Sequence, residues 1–200
     1  MSLAVTNLEN IYTEFGEDFT KDFLSKFSCP LNSDVENFLK RNAIEFAKQG
    51  ISRTHLVFSQ YKGQMVLVGY FTLANKYITL KSSGLSGTTR RRVGKFSTFD
   101  PRIKAYTLSA PLIAQLGKNY TNGYDKLISG DILLKLACDK IKQIQFDLGG
   151  RYVYLECEEK PKLIDFYREN GFCEFDIRPL DSDETDLEGS HLVQLLKYIK

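Results

Sequence analysis

Residues 111 to 157 hold an apolar run, a long amphipathic segment and a second apolar run, and that succession restricts the fold more than anything else in the chain. Pro111-Leu112-Ile113-Ala114-Gln115-Leu116 reads as a buried strand with its proline near the start, where a missing N–H costs least. From Ile128 to Phe146, the residues Ile132, Leu133, Leu136, Ala137, Lys140, Ile141 and Ile144 recur at the three- and four-residue spacing of one helix face. Lys140 is the one charged member of that face, and its aliphatic stem can still pack. Gly149-Gly150 closes the helix, and Tyr152-Val153-Tyr154-Leu155-Glu156-Cys157 follows as a second strand. Two strands joined by a crossover of this length form a parallel pair.

The rest of the chain can be placed around that unit. Val35, Phe38, Leu39, Ala43, Phe46 and Ala47 give a helix over Asp34 to Lys48, capped by Asn32-Ser33-Asp34 and stopped at Gly50. Thr54 to Gln60 and Met65 to Leu73 are β-branched and apolar runs separated by the turn Tyr61-Lys62-Gly63-Gln64, a hairpin that Tyr77 to Leu80 would extend as a meander. Pro161 to Asn170 is a shorter helix with proline in its first turn and Gly171 as its stop. Phe172 to Ile177 and His191 to Ile199 read as strands joined across an acidic stretch. Lys81 to Arg102, rich in Gly, Ser, Thr and Arg, shows no period and reads as a long exposed loop.

Composition narrows the class. Hydrophobic residues at 42% and charged residues at 26% are ordinary for a soluble globular protein, and no apolar run is long enough to span a membrane. Without a visible secretory signal, the expected compartment is the cytoplasm. Cys29, Cys138, Cys157 and Cys173 are scattered and only His55 and His191 could join them, so no metal site is expected and the thiols read as small buried hydrophobes. The net charge of +2 hides an uneven distribution. Arg90, Arg91, Arg92, Lys95, Arg102 and Lys104 gather in one stretch, and Asp181, Asp183, Glu184, Asp186 and Glu188 in another; both read as solvated loops, the arginine run with a second reading as a contact for a polyanion such as tRNA.

Two segments carry a family resemblance. Leu112-Ile113-Ala114-Gln115-Leu116 followed by Ile128-Ser129-Gly130-Asp131-Ile132-Leu133-Leu134 is one, and Asp165-Phe166-Tyr167-Arg168-Glu169-Asn170-Gly171-Phe172 is the other. With this element order, the chain resembles the GNAT N-acetyltransferases over most of its length. The resemblance implies an α+β fold: a central mixed, mostly antiparallel sheet flanked by helices, in one domain spanning residues 1–200 with an exposed basic loop at about 81–104. It implies that acetyl-CoA lies with its pantetheine arm beside a splayed strand and its pyrophosphate on the first turn of the long helix. Leu116, Gly117, Lys126, Ile128, Ser129, Gly130 and Asp131 are the implied cofactor-binding residues, and Tyr167 the implied general acid. In the register that puts the family's last small residue on Gly130, Asp125 and Ile128 replace a basic or amide residue and a glycine.

The chemistry also stands on physical grounds. The first turn of a helix carries unpaired N–H groups and a partial positive charge that favour a diphosphate, and Ser129 and Gly130 permit close approach. Backbone N–H groups near Leu116 and Gly117 could polarise a thioester carbonyl. A phenol can return a proton to a departing thiolate. The expected activity is direct transfer of an acetyl group from acetyl-CoA to a primary amine of unspecified identity, with no covalent enzyme intermediate. Glu156, Glu158 and Glu159 stand near the end of a strand, Glu158 and Glu159 reading as solvated, and none is assigned as base. Two alternatives remain at this point. One is a toxin-type acetyltransferase acting on aminoacyl-tRNA, suggested by resemblance in Phe27-Ser28-Cys29-Pro30, Phe38-Leu39 and Gly69-Tyr70-Phe71-Thr72-Leu73. The other is a non-catalytic module binding CoA or a partner on the same scaffold. The sequence does not define the oligomeric state, a homodimer included.

Overall fold

The computed structural model describes residues 3–182, 187 and 189–199. In chain order the strands and α-helices are β1 (Leu3–Asn7), α1 (Leu8–Phe15), α2 (Glu17–Ser25), α3 (Ser33–Asn37), α4 (Ala43–Lys48), β2 (Arg53–Tyr61), β3 (Gln64–Ala74), β4 (Tyr77–Lys81), α5 (Gly87–Val93), β5 (Thr98–Asp100), β6 (Ala105–Ser109), β7 (Leu112–Lys118), α6 (Gly130–Leu148), β8 (Tyr152–Glu158), α7 (Pro161–Glu169), β9 (Cys173–Pro179) and β10 (His191–Tyr198). Strands hydrogen-bond in the order β1-β2-β3-β7-β8-β10-β9, and β4-β6-β5 form a separate sheet. The fold class is α+β with a mostly antiparallel sheet; β7 and β8 supply its parallel pair, through Leu112↔Tyr154 and Ile113↔Leu155.

Two compact units divide the chain, one of residues 1–74 and 114–137, the other of residues 75–113 and 138–200. In the first, the helices are folded around a core that includes Leu8, Leu24, Phe27, Leu39, Ala43, Leu56 and Tyr70. Tyr70 is fully buried and donates its hydroxyl to the Val35 carbonyl at 2.5 Å, tying β3 to α3. Burial holds that phenol well above its ordinary pKa. Backbones here come unusually close. A Cβ on Gly69 would lie 2.8 Å from the Gly117 carbonyl oxygen, and one on Gly117 would lie 2.4 Å from Val35 Cγ1. Glycine at both positions is therefore a packing requirement.

The second unit has its own core of Ile78, Leu80, Val93, Leu108, Ala110, Tyr152, Tyr154 and Leu196. Arg178 and Gln194 donate to the two oxygens of Glu156, each at 2.7 Å, and fasten β9 and β10 to β8.

The structure corrects several sequence expectations. The Asp34–Lys48 helix is interrupted by a π-helical turn, Phe38–Asn42, so its two α-helical segments are short. Such turns insert an extra residue without ending the helix, which periodicity alone does not reveal. Residues 3–25 form a strand and two helices; Asn7 caps α1 by accepting from the Glu9 N–H, and Gly16 ends it. Tyr77–Lys81 does not extend the hairpin but starts the three-stranded sheet. The segment expected as an exposed loop contains α5 and β5. The inner face of α6 is rotated from expectation: Leu133, Leu134, Ala137, Cys138 and Ile141 are buried, whereas Ile132 is 45% and Ile144 39% exposed. Cys29, Cys138 and Cys157 are buried free thiols, but Cys173 is exposed. Most of the acidic stretch, Asp183, Glu184, Asp186 and Glu188, lies outside the described residues.

Candidate active site

The first unit contains the residues expected to hold the cofactor. Leu116 and Gly117 lie on β7, Leu116 half-buried and Gly117 buried against Val35, Tyr70 and Phe27. After β7 the chain turns through Thr121–Leu127, a 3₁₀ segment broken by Asn122 and Gly123 at φ 54° and 73°. Those left-handed values suit the Asn-Gly pair. Lys126 sits on this segment and is exposed, whereas Ile128 is buried. The expected helix start moves to Gly130, because Ser129 is the cap: its hydroxyl accepts from the Ile132 N–H at 3.2 Å, and its carbonyl accepts from the Leu133 N–H at 3.1 Å.

That cap determines what an anion could use. Ser129 takes the Ile132 N–H, and the backbone N–H groups at the start of the helix mark its positive end. This donor set, with Lys126 nearby in sequence, fits a phosphorylated group. The Asp131 carboxylate occupies the same first turn and weakens the attraction.

The second unit holds Tyr167, on α7. Its side chain is 8% exposed, packed edge-on against Phe166 and Phe172 at centroid distances of 5.1 and 6.0 Å. Burial, reinforced by the neighbouring Cys157 thiol, raises the phenol far above its ordinary pKa and keeps it protonated. Cys157 itself is pushed up to about 12, chiefly by burial. A thiolate generated in such surroundings would be a correspondingly stronger base, which brings it nearer to a phenol shifted in the same direction.

The three glutamates are not equivalent. Both oxygens of Glu156 are engaged by Arg178 and Gln194, so it stands as a strut. Glu158, expected to be solvated, is only 8% exposed and pairs with Lys160 at 2.9 Å. Glu159 is exposed and lies 3.1 Å from His191. The Arg178–Glu156–Gln194 arrangement escaped the sequence reading; its signal is the cross-strand register Gln194↔Glu156, invisible until strands are paired. No group of three or more metal-ligating side chains occurs among the described residues, and no helix there is long and apolar enough to cross a membrane.

No protein-family model and no curated protein matches the chain. Its structure does have counterparts, and they define a class: the chain has the fold of the GNAT N-acetyltransferases. AtaT complexed with acetyl-methionyl-tRNAfMet matches 98% of this chain and 95% of its own, with a TM-score of 0.63 and 15% identity. A tyrosine-to-phenylalanine mutant of KacT matches 97% of this chain and 94% of its own, with a TM-score of 0.62 and 16% identity. AtaTR bound with acetyl-CoA matches 98% and 92%, with a TM-score of 0.57 and 15% identity.

Proposed function

We propose that this chain is an acetyl-CoA-dependent N-acetyltransferase of the cytoplasm, carrying the acetyl group of acetyl-CoA directly to a primary amine. The observation that carries the reading is the GNAT fold, matched along 98% of the chain by a structure holding acetyl-CoA. Under this reading the N–H groups of Gly130 and Asp131, with Lys126, hold the pyrophosphate, and Ser129 and Ile128 shape the turn that presents them. Leu116 and Gly117 supply backbone N–H groups to the thioester oxygen. The amine nitrogen forms a bond to the acetyl carbon and gives up one proton to water, the carbon–sulfur bond breaks, the sulfur takes the Tyr167 proton, and the phenolate regains a proton from water. Glu156 is excluded as the amine's base by its two hydrogen bonds.

Among amine acceptors, the α-amino group of an aminoacyl-tRNA is favoured by one feature of this chain. Residues 76–111 carry eight lysines and arginines against a single acidic residue, Asp100. A polyanionic carrier of the amine would be drawn to such a segment. The test is turnover, followed as release of free CoA thiol, with small amines, peptides and charged tRNA offered in turn. Acetyl-CoA-dependent product with any of them supports the activity, and product with charged tRNA alone supports the finer reading. Absence of product with all three, from protein that binds acetyl-CoA, would leave the non-catalytic module as the better description.

A further inference from the structure

The strongest uncommitted feature of the molecule is the segment between β3 and β7. Its charge is far out of line with the rest: the whole chain is +2, while residues 76–111 alone hold Lys76, Lys81, Arg90, Arg91, Arg92, Lys95, Arg102 and Lys104 against Asp100. Among the described residues, none of Arg90, Arg91, Lys95, Arg102 and Lys104 has a carboxylate within ion-pairing distance, although the protein elsewhere pairs its cations freely, as at Lys40–Glu36 and Arg178–Glu156. Cations kept apart from carboxylates preserve their attraction for an external anion.

The segment is also held in shape. Ser86 caps α5 by accepting from the Thr89 N–H at 3.2 Å. Val93 is fully buried, and the Arg92 guanidinium lies over the Tyr198 ring at 5.0 Å. Tyr198 stands edge-on to Tyr152 at 5.4 Å, and Phe96 edge-on to Tyr152 at 6.1 Å. All three consecutive arginines are exposed; Arg92 is anchored over Tyr198, Arg90 donates its Nε–H to the Leu85 carbonyl at 3.2 Å, and Arg91 extends from the exposed side of the helix.

Aromatic rings stand among these cations. Tyr77 is 73% exposed, Phe99 45% and Phe96 37%. Tyr77, Phe96, Lys95, Thr98 and Thr107 line one open cavity of about 390 Å³, with Thr98 opposite Thr107 in the β5–β6 ladder. Two of these rings, Tyr77 and Phe96, share the cavity with a lysine and several hydroxyls. A phosphate backbone needs only the cations. A flat π-face beside them adds a surface on which an unstacked base can lie.

We propose that residues 76–111 form a single-stranded RNA-docking surface, in which Tyr77 and Phe96 stack a base at the cavity and Arg90, Arg91 and Lys95 contact the adjoining phosphates. The proposal rests on the reading of the acceptor as an aminoacyl-tRNA, whose unpaired end presents bases in this form. It excludes a duplex as the preferred ligand, because paired bases offer no free face to the rings. An acidic polypeptide would satisfy the cations but leave the rings unused.

The test measures fluorescence anisotropy of the full-length protein, without acetyl-CoA, against a labelled single-stranded oligoribonucleotide, a duplex of the same length and polyglutamate. Single strands should bind tightest. Tyr77→Ala should weaken that binding by about fivefold to a hundredfold, the range for loss of one stacked base, and leave duplex binding nearly unchanged. Arg91→Ala with Lys95→Ala should lower the logarithmic salt slope by about 1.4, two phosphate contacts on a single strand. All three side chains are exposed, and an unchanged melting temperature would show that the variants fold. Equal affinity for the duplex or polyglutamate, or a silent Tyr77→Ala, overturns the proposal. A thermal shift with acetyl-CoA separates the two readings: RNA binding lost with the acetyl-CoA shift intact condemns only this surface, and the reverse condemns only the enzymatic reading.

Discussion

Residues 152–179 and residues 76–111 belong to the same compact unit and are built on opposite electrostatic plans. In the first, charges are closed against one another: Arg178 with Glu156 at 2.7 Å, Arg168 with Glu174 at 2.5 Å and with Asp165 at 3.2 Å. The polar group left for chemistry there is a neutral phenol, Tyr167, held in an apolar setting. In the second, Lys81 reaches a carboxylate, Asp176 at 3.9 Å, while among the described residues Arg90, Arg91, Lys95, Arg102 and Lys104 do not, and the rings of Tyr77, Phe96 and Phe99 are exposed. A region that must hold a proton excludes water and net charge, whereas a region that must collect a polyanion displays charge. The proposed roles follow that contrast, proton delivery for the first region and partner recognition for the second.

That division can be broken by mutation. The largest effect is expected at Tyr167→Phe, which removes the acidic proton and little else. Turnover should fall by roughly 10²- to 10⁴-fold, with acetyl-CoA and RNA binding both retained; a fall of less than threefold would remove the phenol from the reaction. Arg178→Ala leaves Glu156, whose side chain is 13% exposed, with one partner, and should destabilise the fold by about 2–4 kcal/mol in denaturant melts. A loss below 0.5 kcal/mol would show that the strut is not needed.

Alkaline pH gives a smaller, graded effect. Burial raises Tyr154 and Cys157 each to about 12, and raises Tyr70 and Tyr167 as well. Their ordinary values in the unfolded chain are 10.0 for the tyrosines and 9.0 for the thiol. Below about pH 8 all four are protonated in both states and contribute no slope. Above it the unfolded chain loses protons that the native state keeps, so stability falls as pH rises, by about 1.4 kcal/mol per pH unit for each group that has ionised only when unfolded. Melts from pH 7 to 11 should be flat first and steep later. Smallest are the arginines: Arg92→Ala, losing its contact with Tyr198, should cost about 0.5–1 kcal/mol, and Arg91→Ala less than about 0.5. Equal costs would erase the distinction between anchor and display.

The same contrast governs what could be read in advance. The β7–α6–β8 succession and the α7 helix were legible because burial imposes a period: Val153, Leu155, Ile164 and Phe172 must face inward, and the sequence carries that pattern. Residues 81–104 carried none, because α5 is seven residues long and keeps only Val93 inside, its hold coming from the Ser86 cap and a ring that lies a hundred residues away. The α6 face was misjudged for a related reason. Ile132 and Ile144 are apolar yet exposed, so hydrophobicity alone pointed the helix slightly wrong. Tyr167 was legible as a candidate, but its near-complete burial beside Cys157 depends on strands paired far apart in the chain.

Everything proposed about catalysis needs a phosphorylated thioester to bind. Calorimetric and thermal titration of the intact protein with acetyl-CoA measures that directly. The account predicts saturable one-to-one binding, a stabilisation of about 2.7 kcal/mol at a hundred times the dissociation constant, and the same affinity in Tyr167→Phe. No heat and no shift at millimolar acetyl-CoA, from protein that melts cooperatively, would contradict it.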